Sequence, residues 1–539
     1  MSRLLHRALL CALFSLIPTS LLAQGPVYTP NVHALTNVRI VTSPGRTIEQ
    51  GTVVVRDGLI EAVGANVAIP DDAQVWELDS LTVYAGLIDP AMEVKLPKAD
   101  DEDDLANLDH HLSVVKSQTL LATGMPFKAS DREARRAVGI TTARMLSNQG
   151  AFRGEAAIAN LGKGDLSYNL IEGEAGQVAA FSTAKGGGYP GSLMGVVAVM
   201  RQTLHDAQWY NQAMTSFEAN PRGLKRPEQN AALEALRSVA SGQEELLFIT
   251  DDVLDLLRAH ELAAELGLSL SYIGSGEEYK RIDEVKTMAS QLVLPVHFPK
   301  APGVSGEEGK DLSVSLEKLR HWDNAPKNPT AVYDAGIEFA FTAHGLKDIG
   351  KFREKVSEAI QAGLPHDAAL ASCTTVPAKM LGLSEQMGRV ETGMVANLVV
   401  TDGAIFDPDT KVRAVWVDGN RFEVQKIEKP EGDPRGTWDY VALAGGAEYP
   451  GTVILGGELG ALTATVVAMD EEIPAEATQS GSTVSVVFSM MGGQFTLDLN
   501  INGDNADGSG SSPFGDFSLT ATRVKKHSDS KPGNGGLDR

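Results

Sequence analysis

The chain of 539 residues predicts an α/β protein with a parallel core set between two β-rich segments. Three observations predict this. From 84 to about 402, apolar runs of strand length alternate with longer helical patterns, as in sheets crossed over by helices. Before that core, 36–78 carries short β-rich runs broken by Gly turns. After it, 436–524 again shows β-type runs separated by Gly turns, and Phe495, Leu497, Leu499 and Ile501 alternate strictly with polar neighbours.

The first residues read as a targeting segment. Arg3 and Arg7 give a positive start, 8–22 is apolar, and Ala23 offers a small residue before a cut. Pro18 interrupts the run and polar sequence ends it, so the spanning-helix reading is weaker than export. Export to the periplasm or the exterior, with loss of 1–23, is the expectation. The mature chain would then hold Cys373 alone, so an internal disulfide is excluded. Cys373 falls in an apolar helical pattern and reads as a small core residue. The formal charge of −23 argues against a nucleic-acid partner, and no basic amphipathic helix addresses an anionic membrane.

The segment 24–35 is a polar lead. The runs at 38–41, 51–55, 59–63 and 75–78 follow, with Asp57-Gly58 as a hairpin turn. The candidate core strands are 82–88, 140–145, 178–182, 246–250, 268–273, 292–297 and 338–342. Seven are visible, and an eighth is expected within 155–175, where periodicity is poor. A helix is expected over 253–266, capped by Asp251 or Asp252. Residues 425–435 form a charged, Pro-containing linker, and 525–539 a polar tail without packed structure.

Two motifs carry a resemblance. Gly86-Leu87-Ile88-Asp89-Pro90-Ala91-Met92-Glu93 is similar to the first barrel strand of metal-dependent amidohydrolases, G-[LF]-I-D-x-H-x-H, with Ala91 and Glu93 at the two histidine positions. From Ala369-Leu370 through Thr374, Pro377-Ala378 and Leu381-Gly382 to Gly393, Ala396-Asn397-Leu398 and Val399-Val400, the chain resembles the segment that closes the barrel in that superfamily. The resemblance covers about 34–424 and is nearest to the imidazolonepropionase- and dihydroorotase-like branch. It implies a (β/α)8 TIM-type barrel over 84–383, a composite β-sandwich from 24–83 and 384–424, and, beyond the resemblance, an appended antiparallel β domain at 436–524. It also implies hydrolysis of non-peptide C–N bonds.

In that family one or two metal ions at the barrel mouth lower the pKa of a bound water. The resemblance places the ligands on the strand-one histidine pair, on strands four, five and six, and on an aspartate ending strand eight. Here those positions read Ala91 and Glu93, Thr250-Asp251-Asp252, Tyr272-Ile273-Gly274, and Thr342-Ala343-His344. Three readings stay open. In a rebuilt site, Glu93, His297 and His344 could hold a divalent ion such as zinc, with His344 and Asp251 as catalytic groups. Each also has an ordinary role, since a strand-end histidine is commonly a hydrogen-bonded structural residue and Asp251 a helix cap. Alternatively the chain is an inactive scaffold that binds a small molecule, a second copy or an active relative through the same mouth. Thirdly, Gly186-Gly187-Gly188-Tyr189-Pro190-Gly191-Ser192, ahead of a helix over 193–214, could cradle an anion, though a plain Ser192 cap explains it as well.

The acidic run 100–104 with His110 and His111 lacks the Gly and terminal Glu of a calcium loop and reads as a solvated insertion. No Gly-x-Ser-x-Gly follows a strand, which argues against a serine hydrolase.

Overall fold

The structure, a computed structural model, describes residues 31–96, 110–125, 127–184, 186–288, 291–301, 314–425, 432–444, 446–458, 461–469, 471–490, 492–513 and 515–526. The expected leader at 1–23 and the acidic run at 100–104 lie outside them. The chain divides into two compact units, Met1–Gln425 and Lys426–Arg539. No described helix is long and apolar enough to cross a membrane.

In the first unit, strands from both ends of the segment build one eight-stranded sheet. Val32–Ser43, Arg46–Arg56, Leu59–Gly64, Gln74–Glu77 and Thr82–Ala85 come from the front, and Leu398–Thr401, Val412–Val417 and Asn420–Glu423 from the back. The seam is the antiparallel pairing of Thr82–Ala85 with Leu398–Thr401. Leu35, Ile40, Val53, Val83, Leu398 and Trp416 share its core. Two hairpins lock the flanks together. Asp57 and Gly58 have φ of 49° and 86°, and Asp418 and Gly419 of 50° and 71°. Both pairs thus have the positive φ that matches the twist of a two-residue hairpin. The turns abut so closely that a Cβ on Gly419 would lie 2.8 Å from the Gly58 Cα.

Gly86 separates this sheet from the core, so the expected strand 82–88 is two strands, Thr82–Ala85 and Leu87–Val94. A side chain at Gly86 would collide with Thr141. Seven parallel strands then form the core, Leu87–Val94 and Ile140–Ser147 in one sheet and Gln177–Ala180, Leu246–Ile249, Leu270–Ile273, Gln291–Pro295 and Glu338–Thr342 in another, the two curving as a ring around one apolar cluster. Between Ile140–Ser147 and Gln177–Ala180 the chain runs the other way. Phe152–Glu155 pairs antiparallel with Gln177–Ala180, and Ala157–Asn160 antiparallel with Ile140–Ser147.

The (β/α)8 expectation is therefore corrected to seven parallel strands and one antiparallel segment at 152–160. A parallel return needs a crossover of a dozen or more residues. Only Asn148, Gln149, Gly150 and Ala151 separate Ser147 from Phe152, and Gly150 at φ 92° turns the chain straight back.

Helix Val253–Leu266 is capped by Asp252, whose carboxylate accepts the Asp255 N–H at 2.7 Å, and ends at Gly267 in the left-handed conformation. Ser192 caps Leu193–Ala219 through the Gly195 N–H at 3.3 Å. Ala378, Leu381, Leu383 and Met387 pack on Ile88 and Ile158, beneath the ring. Cys373 is buried in helix His366–Cys373.

In the second unit, eight antiparallel strands from Gly436–Ala444 to Gly515–Lys526 close into a barrel, the last pairing with the first. Six of them contain the runs visible in the sequence. The other two are Glu471–Ser480 and Asn505–Ser512. The last strand includes Lys525 and Lys526, which sequence reading assigned to the tail.

Candidate functional site at the mouth of the strand ring

The pairing of Leu87–Val94 is irregular between Asp89 and Met92; past it Ala91 and Glu93, two apart, share a face toward the mouth, and Asp89 is turned inward onto Thr342. Asp89 is 1% exposed. Its Oδ1 accepts the Thr342 hydroxyl at 2.6 Å and the Ala91 N–H at 3.2 Å. The first contact joins the first ring strand to the last. Arg144 lies below, its Nε donating to the Pro90 carbonyl at 2.9 Å. Enclosure by protein pushes the guanidinium pKa down to about 10, against the pull of Asp89.

Ala91 is fully buried in an apolar cluster with Leu146, Val178, Ile249, Ile273 and Val293. The ring interior at this level is thus filled by hydrocarbon. Above it, Glu93 is exposed and its Oε1 accepts the Asn148 amide at 3.0 Å.

The other predicted residues reach the same mouth. His344 follows Thr342, and its N–H donates to the Thr342 hydroxyl at 3.1 Å. Its Nδ1 is buried with no partner among the described residues. Burial pushes its pKa down, while Glu93 and Asp251 pull the other way. His297 lies two residues past the end of Gln291–Pro295, so the expected strand end at 297 is corrected to 295. A Cβ at Gly345 would lie 3.1 Å from the His297 Nδ1, so the imidazole sits against the loop that carries His344. Burial, then the neighbouring His344, lowers the His297 pKa. Burial thus works against the charged form of both imidazoles. Asp251 is exposed beyond strand Leu246–Ile249 and is not the helix cap, since Asp252 has that role.

Arg153 completes the mouth and was missed by sequence reading, because it lies in the antiparallel segment that the periodicity did not resolve. It donates to the Ser182 hydroxyl at 3.1 Å and the Ser147 carbonyl at 3.4 Å. Burial lowers its pKa, and Glu93 and Asp251 oppose that shift.

The donor set does not fit the metal centre that the family resemblance implies. Ala91 offers a methyl, the Thr250 hydroxyl donates to the Ile273 carbonyl at 2.8 Å, and Gly274 and buried Ala343 supply no side-chain donor. Among the described residues no group of three or more His, Cys, Asp and Glu side chains is placed to hold a metal ion. Glu93, His297 and His344 share the mouth without forming such a group. At the opposite face of the ring a cavity of about 330 Å³ is lined by Arg144, Glu172, Glu174, Glu244, Tyr272 and Gln291. None of the predicted site residues reaches it.

Residues 351–422 match the model of the amidohydrolase family. Amidohydrolase tasK of Hapsidospora irregularis is 42% identical over 57 residues, a stretch that is 11% of this chain and 6% of that protein. An amidohydrolase from Thermotoga maritima MSB8 superposes with a TM-score of 0.60 at 20% identity, covering 72% of this chain and 99% of that one. That likeness is one of fold, a TIM-type barrel with a β domain.

Proposed function

We propose that this chain, a member of the amidohydrolase superfamily, is a binding protein that keeps the fold and has given up metal-assisted hydrolysis of carbon–nitrogen bonds. One observation carries the reading. Where the family motif has its first histidine, Ala91 offers only a methyl packed in an apolar cluster, so a metal ion would find no side-chain ligand there. The ring mouth is still polar. Arg153 is desolvated beside Glu93 and Asp251, and the buried His344 imidazole lies near it, with His297 next to His344. That combination suits a small polar ligand carrying both acidic and basic groups. The positive, then apolar, sequence of 1–23 supports a periplasmic or extracellular setting for this binding.

Metal analysis of untagged protein, purified without chelator, tests the proposal. The expected result is substoichiometric zinc, manganese and iron, with no gain in melting temperature on adding zinc. About one equivalent of metal, lost on His344→Ala or His297→Ala, together with turnover of amides, lactams or hydantoins, would restore the hydrolase reading.

A further inference from the structure

The second unit encloses a space that the ring mouth does not explain. An eight-stranded closed barrel has an interior either just filled by side chains or just wide enough for one small ligand. Here the two ends differ. One end is packed shut by Trp438, Leu455, Val484 and Leu499, each at most 1% exposed. The Trp438 indole N–H donates to the Pro434 carbonyl at 2.8 Å, and the Arg523 guanidinium lies 4.5 Å from its ring centre. Toward the other end large and small inward residues are mixed. Ala442 and Ala468 place only methyl groups there, and a cavity of about 510 Å³ remains.

Its wall is apolar. Phe488, Phe495, Leu497 and Phe517 line it, Phe488 and Phe495 being stacked with ring centres 5.5 Å apart. No ionisable side chain other than the phenols of Tyr440 and Tyr449 lines it among the described residues. Tyr449 and Met469 stand at the opening, 49% and 64% exposed. Apolar walls around a void of this size forgo dispersion contacts that a ligand would supply. The volume falls within the usual range for small-molecule sites, roughly 300–1,000 Å³.

We infer that the second unit binds one small apolar molecule in this cavity. Its apolar body lies among Phe488, Phe495 and Phe517, and any single polar group lies at the rim beside Tyr449 and Ser512. The site is separate from the ring mouth, so it stands whether or not the first unit proves to be a hydrolase.

The test is fluorescence titration of the full chain with N-phenyl-1-naphthylamine, an uncharged apolar probe. Saturable binding of one probe per chain is expected. Ala442→Trp, which fills the cavity from its wall, should weaken it at least tenfold, with far-ultraviolet circular dichroism unchanged. Should that variant fail to fold, Ala468→Phe provides the same obstruction from a different strand. Absence of saturable binding, or binding unaltered by a folded filling variant, would overturn the inference.

Discussion

The Thr342 hydroxyl donates a 2.6 Å hydrogen bond to the buried Asp89 carboxylate, linking residues 253 positions apart. It holds the last ring strand to the first from inside the core. The second carboxylate oxygen has no partner among the described residues, so the carboxylate relies on this hydroxyl and on the longer bond from the Ala91 N–H at 3.2 Å. Thr342→Val keeps the shape and removes the hydroxyl. Leaving a buried charged acceptor short of a donor costs about 2–3 kcal/mol. Hydrogen exchange at Leu87–Val94 and Glu338–Thr342 should accelerate together, and unchanged protection there would show that the bond does not close the ring.

Ala91→His asks whether the lost metal ligand can simply be returned. The imidazole would enter a space bounded by Ile249, Ile273 and Val293. Overpacking alone costs about 1–3 kcal/mol, and the ring nitrogens add desolvation. The expected outcome for Ala91→His with Glu93→His is a less stable protein that still retains no zinc after dialysis. Stoichiometric zinc with raised stability would mean that the apolar interior yields easily and the binding-protein reading is wrong.

Much of this architecture was legible in the sequence. The strand positions of the core were visible because parallel strands buried on both faces are continuous apolar runs. The antiparallel segment 152–160 was not, since direction is set by the four-residue link after Ser147 and not by periodicity. Glu471–Ser480 and Asn505–Ser512 were missed for another reason. Their sequences, EEIPAEATQS and NADGSGSS, have poor strand propensity, and barrel closure recruits them through both neighbours. At the candidate mouth, Glu93, Asp251, His297 and His344 were proposed from predicted strand ends and from the positions of the family motifs. Asn397 shows what a motif cannot give. Its amide donates to Asn160 Oδ1 at 2.8 Å and Thr142 Oγ1 at 3.0 Å while its oxygen accepts the Asp418 N–H at 2.8 Å. That role, tying the β-sheet flank to the ring, depends on partners 237 and 255 residues away.

Glu155 predicts a pH dependence. Burial, then the neighbouring Glu244, pushes its pKa up to about 7, although Gln177 donates to it at 2.9 Å. The folded state thus holds this proton more tightly than the unfolded chain, whose carboxyl titrates near 4.3. Stability from this group is complete below the unfolded value and is lost as pH rises through about 7. Glu155→Gln should melt higher than the parent at pH 8 and show a smaller difference at pH 5. His297 and His344, with lowered pKa values, act in the opposite sense, so loss of stability toward acid should persist in the variant. Equal responses of the two proteins between pH 5 and 8 would place Glu155 outside the titration.

The weakest strand of the second unit makes the last prediction. Asn505–Ser512 contributes glycines at 508 and 510, opposite Leu499 and Leu497 on one side and Leu519 and Phe517 on the other. Their value here is the space that they leave. A Cβ on Gly508 would run into the Asp498 carbonyl, which is backbone and cannot swing aside, and one on Gly510 would meet the Phe517 ring. Gly451 is a different case, for its Cβ would lie 2.5 Å from the Tyr440 hydroxyl end, a side chain that can tilt into the cavity. Gly508→Ala should therefore open the barrel beside Asn505–Ser512 at a cost of about 3 kcal/mol, read as a lowered unfolding transition of the second unit with that of the first unchanged. Gly451→Ala should leave that transition nearly in place and instead weaken apolar probe binding, because Tyr440 then takes up part of the cavity. The reverse ranking of the two variants would mean that the strand tolerates a side chain at 508 and that the tight contacts lie elsewhere in the barrel.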